Sequence, residues 1–338
     1  MKSSYNNQEV TLLIKDLTGK VTPVSLEEKN RRVANGEFER SIMIEEYPIS
    51  KEYSDIVWES MKPYAPMTAI AVGNVAEQIY KDKGNKLVLV SIIRAGIPIG
   101  ILIKRYLEQK YNIVVPHYAI SLVKGLDKNA MKYILERHDA EGIQFIDGWT
   151  GKGTVTKELV ESAKEYKGVD ASLAVLSDAI GVSKYCGIRK DFAVPSAPLN
   201  ASVTGLVSIT IFNNDLVSDT DFHGAMYLKD LESIDKSKEF LDLITSYFDF
   251  HCNADFSDYE TVNEVQKVAD DLEVSLKLLN PGINEAARAI LRRNLEKLLV
   301  VDKNDFDVQC IMKLAELKNV PVEEYPLKYY KAISVAKE

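Results

Sequence analysis

Residues 145–154 read FIDGWTGKGT, where an apolar pair, an acid, three glycines, two threonines and a lysine stand close enough to share one ligand. Glycine lets the backbone approach a ligand and turn its N–H groups toward it. Thr150 and Thr154 add hydroxyls, and Lys152 adds a positive charge. The apolar spacing from Val155 onward is helical, which puts a helix N-terminus, a place that favours anions, at the end of the loop. The chemistry of such a set is phosphate binding; the alternative is a tight strand-to-helix connection with no ligand. The P-loop pattern GxxxxGK[ST] does not fit, since Ile146 and Gly153 stand where it needs Gly and Ser or Thr, and the dinucleotide pattern GxGxxG fails as well.

The elements that would position this loop can be read on either side of it. Residues 86–93, KLVLVSII, form a continuous apolar run of strand length, as in a parallel strand covered on both faces. The run leads into Arg94-Ala95-Gly96 and then a helix over residues 101–109. An arginine at a strand's C-terminal end, before a small-residue turn, lies where open α/β sheets bind ligands; otherwise it is a surface arginine beside a glycine turn. Residues 114–122 read as a third strand leading to Lys124, which is either a phosphate-neutralising lysine on a flap or a solvated loop lysine. A further strand at residues 172–176 ends at Ser177-Asp178. Strands alternating with helices indicate a doubly wound parallel sheet, with residues 1–50 as a cap on it. Residues 187–211 mix small polar groups with apolar ones; they suit recognition of a flat hydrogen-bonding acceptor, or equally turns and caps. His117 and His138 lack the spacing of a metal site.

The loop at 145–154 resembles the one with which type I phosphoribosyltransferases hold the ribose and 5-phosphate of phosphoribosyl pyrophosphate. RAGIP at 94–98 resembles the pyrophosphate-binding turn of the uracil-type members. Those enzymes usually carry two adjacent acids in the loop, whereas Asp147 here stands between Ile146 and Gly148. RAGIPIG at 94–100, HYAIS at 117–121, FIDGWTGKGT, and DFAVPSAPLNASVTGLVS at 191–208 together resemble the StiP-type family of bacterial and phage proteins, which is linked to tellurium resistance and sometimes labelled a cysteine protease. The resemblance implies a type I phosphoribosyltransferase-like α/β domain over residues 1–258 and Mg²⁺-dependent transfer of ribose 5-phosphate to a base-like small molecule.

In that reading Asp147, Arg94 and Lys124 are catalytic, and Asp147 holds ribose hydroxyls or the water of the Mg²⁺ ion. Ala95, Gly96, Gly148, Thr150, Gly151, Lys152, Gly153 and Thr154 bind phosphoribosyl pyrophosphate, and Asp178, Asn200 and Ser202 face the acceptor. The alternative is a nucleotide-sensing or RNA-binding protein whose transferase fold has lost turnover. A protease is set aside because Pro198 stands where family members read PSACLN, and Cys186 and Cys252 lack a nucleophile context even though His251 precedes Cys252.

From residue 262 to 338 a second, small α/β unit is expected, with a helix opening at residue 280 and running to 293, a second helix at 306–318, and strands at 298–301 and 320–325. Residues from Pro281 onward resemble the L7Ae and Pelota-type RNA-binding fold, which implies contact with structured RNA through Gly282, Asn284, Glu285 and Arg288. The unit's charge weighs against that contact, since residues 270–338 carry 12 acids and 11 bases where RNA-binding modules are basic. A docking or homodimerising domain is the alternative.

At 338 residues the chain is long enough for two domains, and its net charge of −8 speaks against broad attraction to nucleic acid or to anionic membranes. Cys186, Cys252 and Cys310 are scattered, odd in number and without CxxC spacing, which implies a reducing compartment and no zinc site. With neither a signal-like nor a membrane-spanning run in the sequence, a cytoplasmic protein is expected.

Overall fold

The computed structural model describes residues 1–46, 49–252 and 260–337. The first part of the chain runs β1 (Thr11–Leu12), β2 (Lys15–Asp16), α1 (Leu26–Ala34), α2 (Lys51–Met61), α3 (Ala65–Lys83), β3 (Val88–Ile92), α4 (Gly96–Tyr111), β4 (His117–Ile120) and α5 (Lys128–Leu135). It continues with β5 (Ile143–Ile146), α6 (Thr154–Ala163), β6 (Leu173–Ser177), β7 (Tyr185–Ile188), β8 (Gly224–Ala225) and α7 (Ser237–Thr245). After residue 260 come α8 (Glu264–Asp271), β9 (Leu279–Pro281), α9 (Ile283–Arg292), β10 (Leu295–Val300), α10 (Gln309–Leu317), β11 (Val322–Glu324) and β12 (Ala332–Ala336).

Six strands form a parallel sheet in the order β1-β4-β3-β5-β6-β7. Every residue of β3, β5 and β6 is buried, including the polar Ser91, Gln144 and Ser177 that interrupt their apolar sequences, the condition of strands covered on both faces. Successive side chains leave a strand on opposite faces. Leu89, Ile146, Ala174 and Leu176 therefore meet α3 and α4 on one side, while Val90, Phe145, Leu173 and Val175 meet Met131 and Ile134 of α5 and Leu159 of α6 on the other. The sheet and its crossovers bring the turns after β3 and β5 side by side at the C-terminal edge, since these strands are neighbours.

The second unit is a four-stranded sheet in the order β11-β10-β12-β9, with β10 and β11 parallel and the other pairs antiparallel. Its helices α9 and α10 do not form a core of their own. Ala286, Ile290, Leu298, Ile311 and Leu314 belong to the same apolar cluster as Trp58, Met61 and Phe192 of the first unit. Tyr64 seals the contact: its hydroxyl donates to the Phe306 carbonyl at 2.7 Å and its ring lies 5.1 Å from that of Phe306.

Several elements differ from the sequence reading. The N-terminal segment, expected as a cap, places β1 in the main sheet beside β4, with Thr11 opposite Tyr118, and pairs β2 with β8. Both strands are two residues long, too short for any periodicity to show. β7, β9 and β12 were not anticipated, although β12 lies between β9 and β10 in the second sheet. The polar connection expected at 250–258 falls largely on residues 253–259, which lie outside the described residues.

Candidate ligand-binding site

β5 ends at Ile146, and the chain continues alongside β6 for four residues before it turns. The Asp147 amide donates to Ala174, the Leu176 amide to Gly148, and the Thr150 amide to Ser177, at 3.0, 3.0 and 2.9 Å. The Thr150 hydroxyl donates to Asp178 Oδ1 at 2.6 Å, which anchors the loop to the end of β6. The chain then reverses through Gly151 and Gly153, whose φ of +75° suits glycine, into α6. The first helical bond in this region runs from the Lys157 amide to the Gly153 carbonyl at 3.0 Å. The main-chain N–H groups of residues 151–156 donate to no protein acceptor among the described residues, and the Thr156 hydroxyl is buried without a partner. Unpaired donors at a helix N-terminus beside a cavity suit an anion.

The other turn touches this one. A side chain on Gly96 would place its Cβ 2.3 Å from the Ile146 carbonyl oxygen, and one on Gly148 would lie 3.6 Å from the Ala95 Cβ. Between the two turns and the second unit lies a cavity of about 300 Å³. Its floor carries Asp147, which accepts from the Gly148 amide at 2.8 Å through Oδ1 and has no side-chain partner among the described residues. Burial pushes this carboxyl up to about 7, against the opposing pull of the Gly148 amide and the Arg288 charge. Arg94 forms a wall, yet its guanidinium is turned away into a buried network. It donates to Glu46 Oε1 at 2.6 Å and Oε2 at 3.2 Å, to Asn200 Oδ1 at 3.0 Å and to the Val207 carbonyl at 3.2 Å. Lys152 reaches across to the second unit and donates to the carbonyls of Leu276 and Leu279 at 2.8 and 2.9 Å.

The wall opposite is α9. Glu285 Oε1 accepts from the Trp149 indole at 2.8 Å and from Arg288 at 3.0 Å; burial opposes its charge, but Arg288 and the indole hold its carboxyl below the usual range. The Tyr330 hydroxyl donates to the Gly151 carbonyl at 2.8 Å. α9 has no N-terminal side-chain cap of its own. Asp191 of the first unit supplies one: its oxygens accept the Ile283 amide at 3.0 and 3.1 Å and the Lys331 amide at 2.8 Å, although burial pushes its carboxyl up to about 7.

The structure gathers Arg94, Ala95, Asp147, Thr150, Gly151, Lys152, Gly153 and Thr154 around one cavity, with Glu285 and Arg288, and packs Gly96 and Gly148 where the two turns meet. It leaves others out. Lys124 is exposed and lies 5.2 Å from the Phe212 ring, away from this cavity. Asp178 is buried with its oxygens taken by Thr150, Arg189, Ile180 and Ser183. Asn200 bridges Arg94 and Glu46, and the buried Ser202 hydroxyl donates to the Leu199 carbonyl at 2.9 Å. These three serve the loop, the arginine and a local turn, the reading that residues 187–211 equally allowed.

The residues expected to meet RNA are placed between the units. Gly282 donates to Ala332 and faces Asp191. Asn284 is 2% exposed; it accepts the Val194 amide at 2.8 Å and donates to the Phe192 carbonyl at 2.9 Å. Asn284 is thus buried with both its oxygen and its amide nitrogen engaged by the first unit. Glu46 and Asp191, which hold Arg94 and α9, carried no local signal in the sequence, because their partners lie 48 and 92 residues away.

The Mg²⁺ ion expected at Asp147 would find that carboxyl and, on the opposite wall, Glu285, which Trp149 and Arg288 already engage. Among the described residues no group of three or more His, Cys, Asp or Glu side chains could hold a metal. The three thiols stand apart from the cavity. Cys186 and Cys310 are buried, and burial pushes both up to about 12. Cys252 is partly exposed, and burial also raises its thiol. Beside it the exposed His251 Nδ1 meets Asp249 Oδ1 at 2.8 Å, while the Cys252 thiol donates to the Asp249 carbonyl at 3.1 Å. No helix among the described residues is long and apolar enough to cross a membrane.

Residues 3–245 match the family described as "Tellurite-like stress resistance cysteine protease StiP". The chain belongs to this family. Residues 259–338 match the "PELOTA RNA binding domain". The chain is also similar to a protein of Acinetobacter baylyi named "Cysteine protease StiP", 28% identical over 346 residues, which span 95% of this chain and 89% of that protein. These matches overturn the expected transfer of ribose 5-phosphate, and with it the glycosyltransferase class. The family and the relative are both named for a peptidase, and nothing in the matches favours the nucleotide-sensing or RNA-binding alternative over that name. The sequence reading erred by letting two glycine turns, which specify only a phosphate-type cradle, stand for a reaction.

Proposed function

We propose that the chain serves the tellurite-like stress resistance of its family's description, and that it does so by holding a small oxyanionic ligand in the cavity between its two units. The carrying observation is the row of unpaired amides at residues 151–156, which opens on a cavity walled by Arg288 and floored by Asp147. The loop that carries these amides is anchored beside β6 through residues 147–150, which limits the reorganisation needed to receive an anion, and Asp147 adds an acceptor for a hydroxyl of the same ligand. The parallel strand order, with a turn of this kind after β3 and after β5, supports a type I phosphoribosyltransferase-like architecture for the first unit. That is a statement about architecture and carries no transferase activity.

Calorimetric titration with inorganic phosphate tests the reading. Gly153→Val should weaken binding about tenfold or more, because a side chain at φ +75° strains the turn that aims the amides. The same variant should fail to protect a host challenged with tellurite. Wild-type protein that takes up no phosphate would end the proposal.

Peptidase activity, the word in the relative's name, has one observation in its favour here. Asp249 holds Nδ1 of His251 beside Cys252, the one partly exposed thiol among the described residues. In this second reading the Cys252 thiol leaves the Asp249 carbonyl and gives its proton to His251, the thiolate attacks a peptide carbonyl, the C–N bond breaks as the amine takes that proton, and water then releases the acyl group from sulfur. Hydrolysis of an unfolded protein substrate that persists unchanged in Cys252→Ala would remove it.

A further inference from the structure

Four cations line the cavity, and three of them each make two or more hydrogen bonds to the protein itself. Arg94 is bound by Glu46, Asn200 and the Val207 carbonyl, and Lys152 by two carbonyls of the second unit. Arg40 donates to the Leu122 carbonyl at 2.8 Å and to Glu158 at 3.4 Å. Arg288 differs. Only its Nη1 is engaged, on Glu285 Oε1 at 3.0 Å, so Nε and Nη2 have no protein acceptor among the described residues. Its guanidinium lies 5.8 Å from the Trp149 ring, and its side chain keeps 26% exposure.

We infer that Arg288 is the cation that meets the cavity's ligand, and that the end of the second unit bearing Gly282 to Arg288 works as the reading wall of a small-molecule site. The inference rests on the proposed oxyanion binding. Three observations converge on it. Asn284 and Asp191 lock this end of α9 onto the first unit, so the wall is fixed in place. Glu285 touches the glycine loop itself, since a Cβ on Gly151 would fall 2.9 Å from its Cγ. Glu285 also holds one edge of the Arg288 guanidinium, which leaves the rest of the fork to a phosphate or carboxylate group. The ligand class is therefore a small molecule whose oxyanion is shared between the loop amides and a planar arginine fork.

The test uses full-length protein and inorganic phosphate. Arg288→Gln should raise the Kd about tenfold or more, the scale of a lost charge-assisted bond. Arg288→Lys, which keeps the charge and loses the fork, should fall between that variant and the wild type, and it serves if the Gln variant does not fold. Lys313→Gln, on the exposed side of α10, removes an equal charge far from the cavity and should leave the Kd unchanged. Wild-type affinity in both Arg288 variants would overturn the inference and leave the anion-binding reading standing. Absence of binding to the wild type would end both. A kinked RNA hairpin bound by the wild type and released by Arg288→Gln would also overturn it, by showing that the arginine faces RNA.

Discussion

Asn284→Ala separates a docked second unit from a free RNA-reading one. The side chain is 2% exposed and joins two main-chain groups of the first unit, the Val194 N–H at 2.8 Å and the Phe192 carbonyl at 2.9 Å. Truncation leaves both groups buried and unpaired. Each unpaired group costs about 1–3 kcal/mol, so the loss should be about 2–6 kcal/mol before relaxation or water entry reduces it. An asparagine kept at the surface to read RNA would cost within about 0.5 kcal/mol on the same substitution. Urea unfolding, read as a midpoint shift at constant slope, supplies the energy. Hydrogen exchange at the Val194 amide supplies the location, since its protection should fall while that of β5 holds. A loss below about 0.5 kcal/mol, with Val194 protection unchanged, would refute the docking.

Gly96→Ala should disrupt both turns, because the new Cβ would stand 2.3 Å from the Ile146 carbonyl. A destabilisation of about 1–3 kcal/mol and weakened phosphate binding are expected, measured by urea unfolding and calorimetry. Asp147 sets a pH dependence. Its folded carboxyl titrates near 7 and its unfolded one near 3.8, so over that window the folded state keeps a proton that the unfolded state has released. Its contribution is full below 3.8 and is lost as pH rises to about 7. The stability difference between wild type and Asp147→Asn should therefore fall across the window, and a flat or rising curve would contradict the assignment. Lys124→Ala should leave phosphate affinity unchanged, as the exposed side chain rests near Phe212 and not in the cavity.

The parts that the sequence showed were those where one local pattern has one physical meaning. The apolar run at residues 86–93 became β3, the apolar pair before Asp147 became the end of β5 and residues 172–176 became most of β6, each strand buried along its whole length, and the glycine spacing around Asp147 marked the turn that leads into α6. Contacts between distant residues were not legible. Glu46 holds Arg94 and Asp191 caps α9 across long sequence separations, so neither the network around Arg94 nor the docking of α9 on the first unit could be read from the sequence. β12 escaped notice because a short apolar run near a chain end, without flanking turn residues, carries no period. Asp178, Asn200 and Ser202 show the same limit from the other side, since small polar residues read alike whether they face a ligand or satisfy a neighbouring turn.

Residues 151–156 are proposed to present a preformed cradle of amides to an oxyanion in the cavity. Amide chemical shifts of the ¹⁵N-labelled protein, followed through a phosphate titration, address it residue by residue. Saturable downfield shifts are expected at residues 151–156, accompanied by the Trp149 indole, with the Arg288→Gln titration displaced to higher phosphate. Shifts that never saturate, or that appear on other faces while these amides stay still, would contradict it.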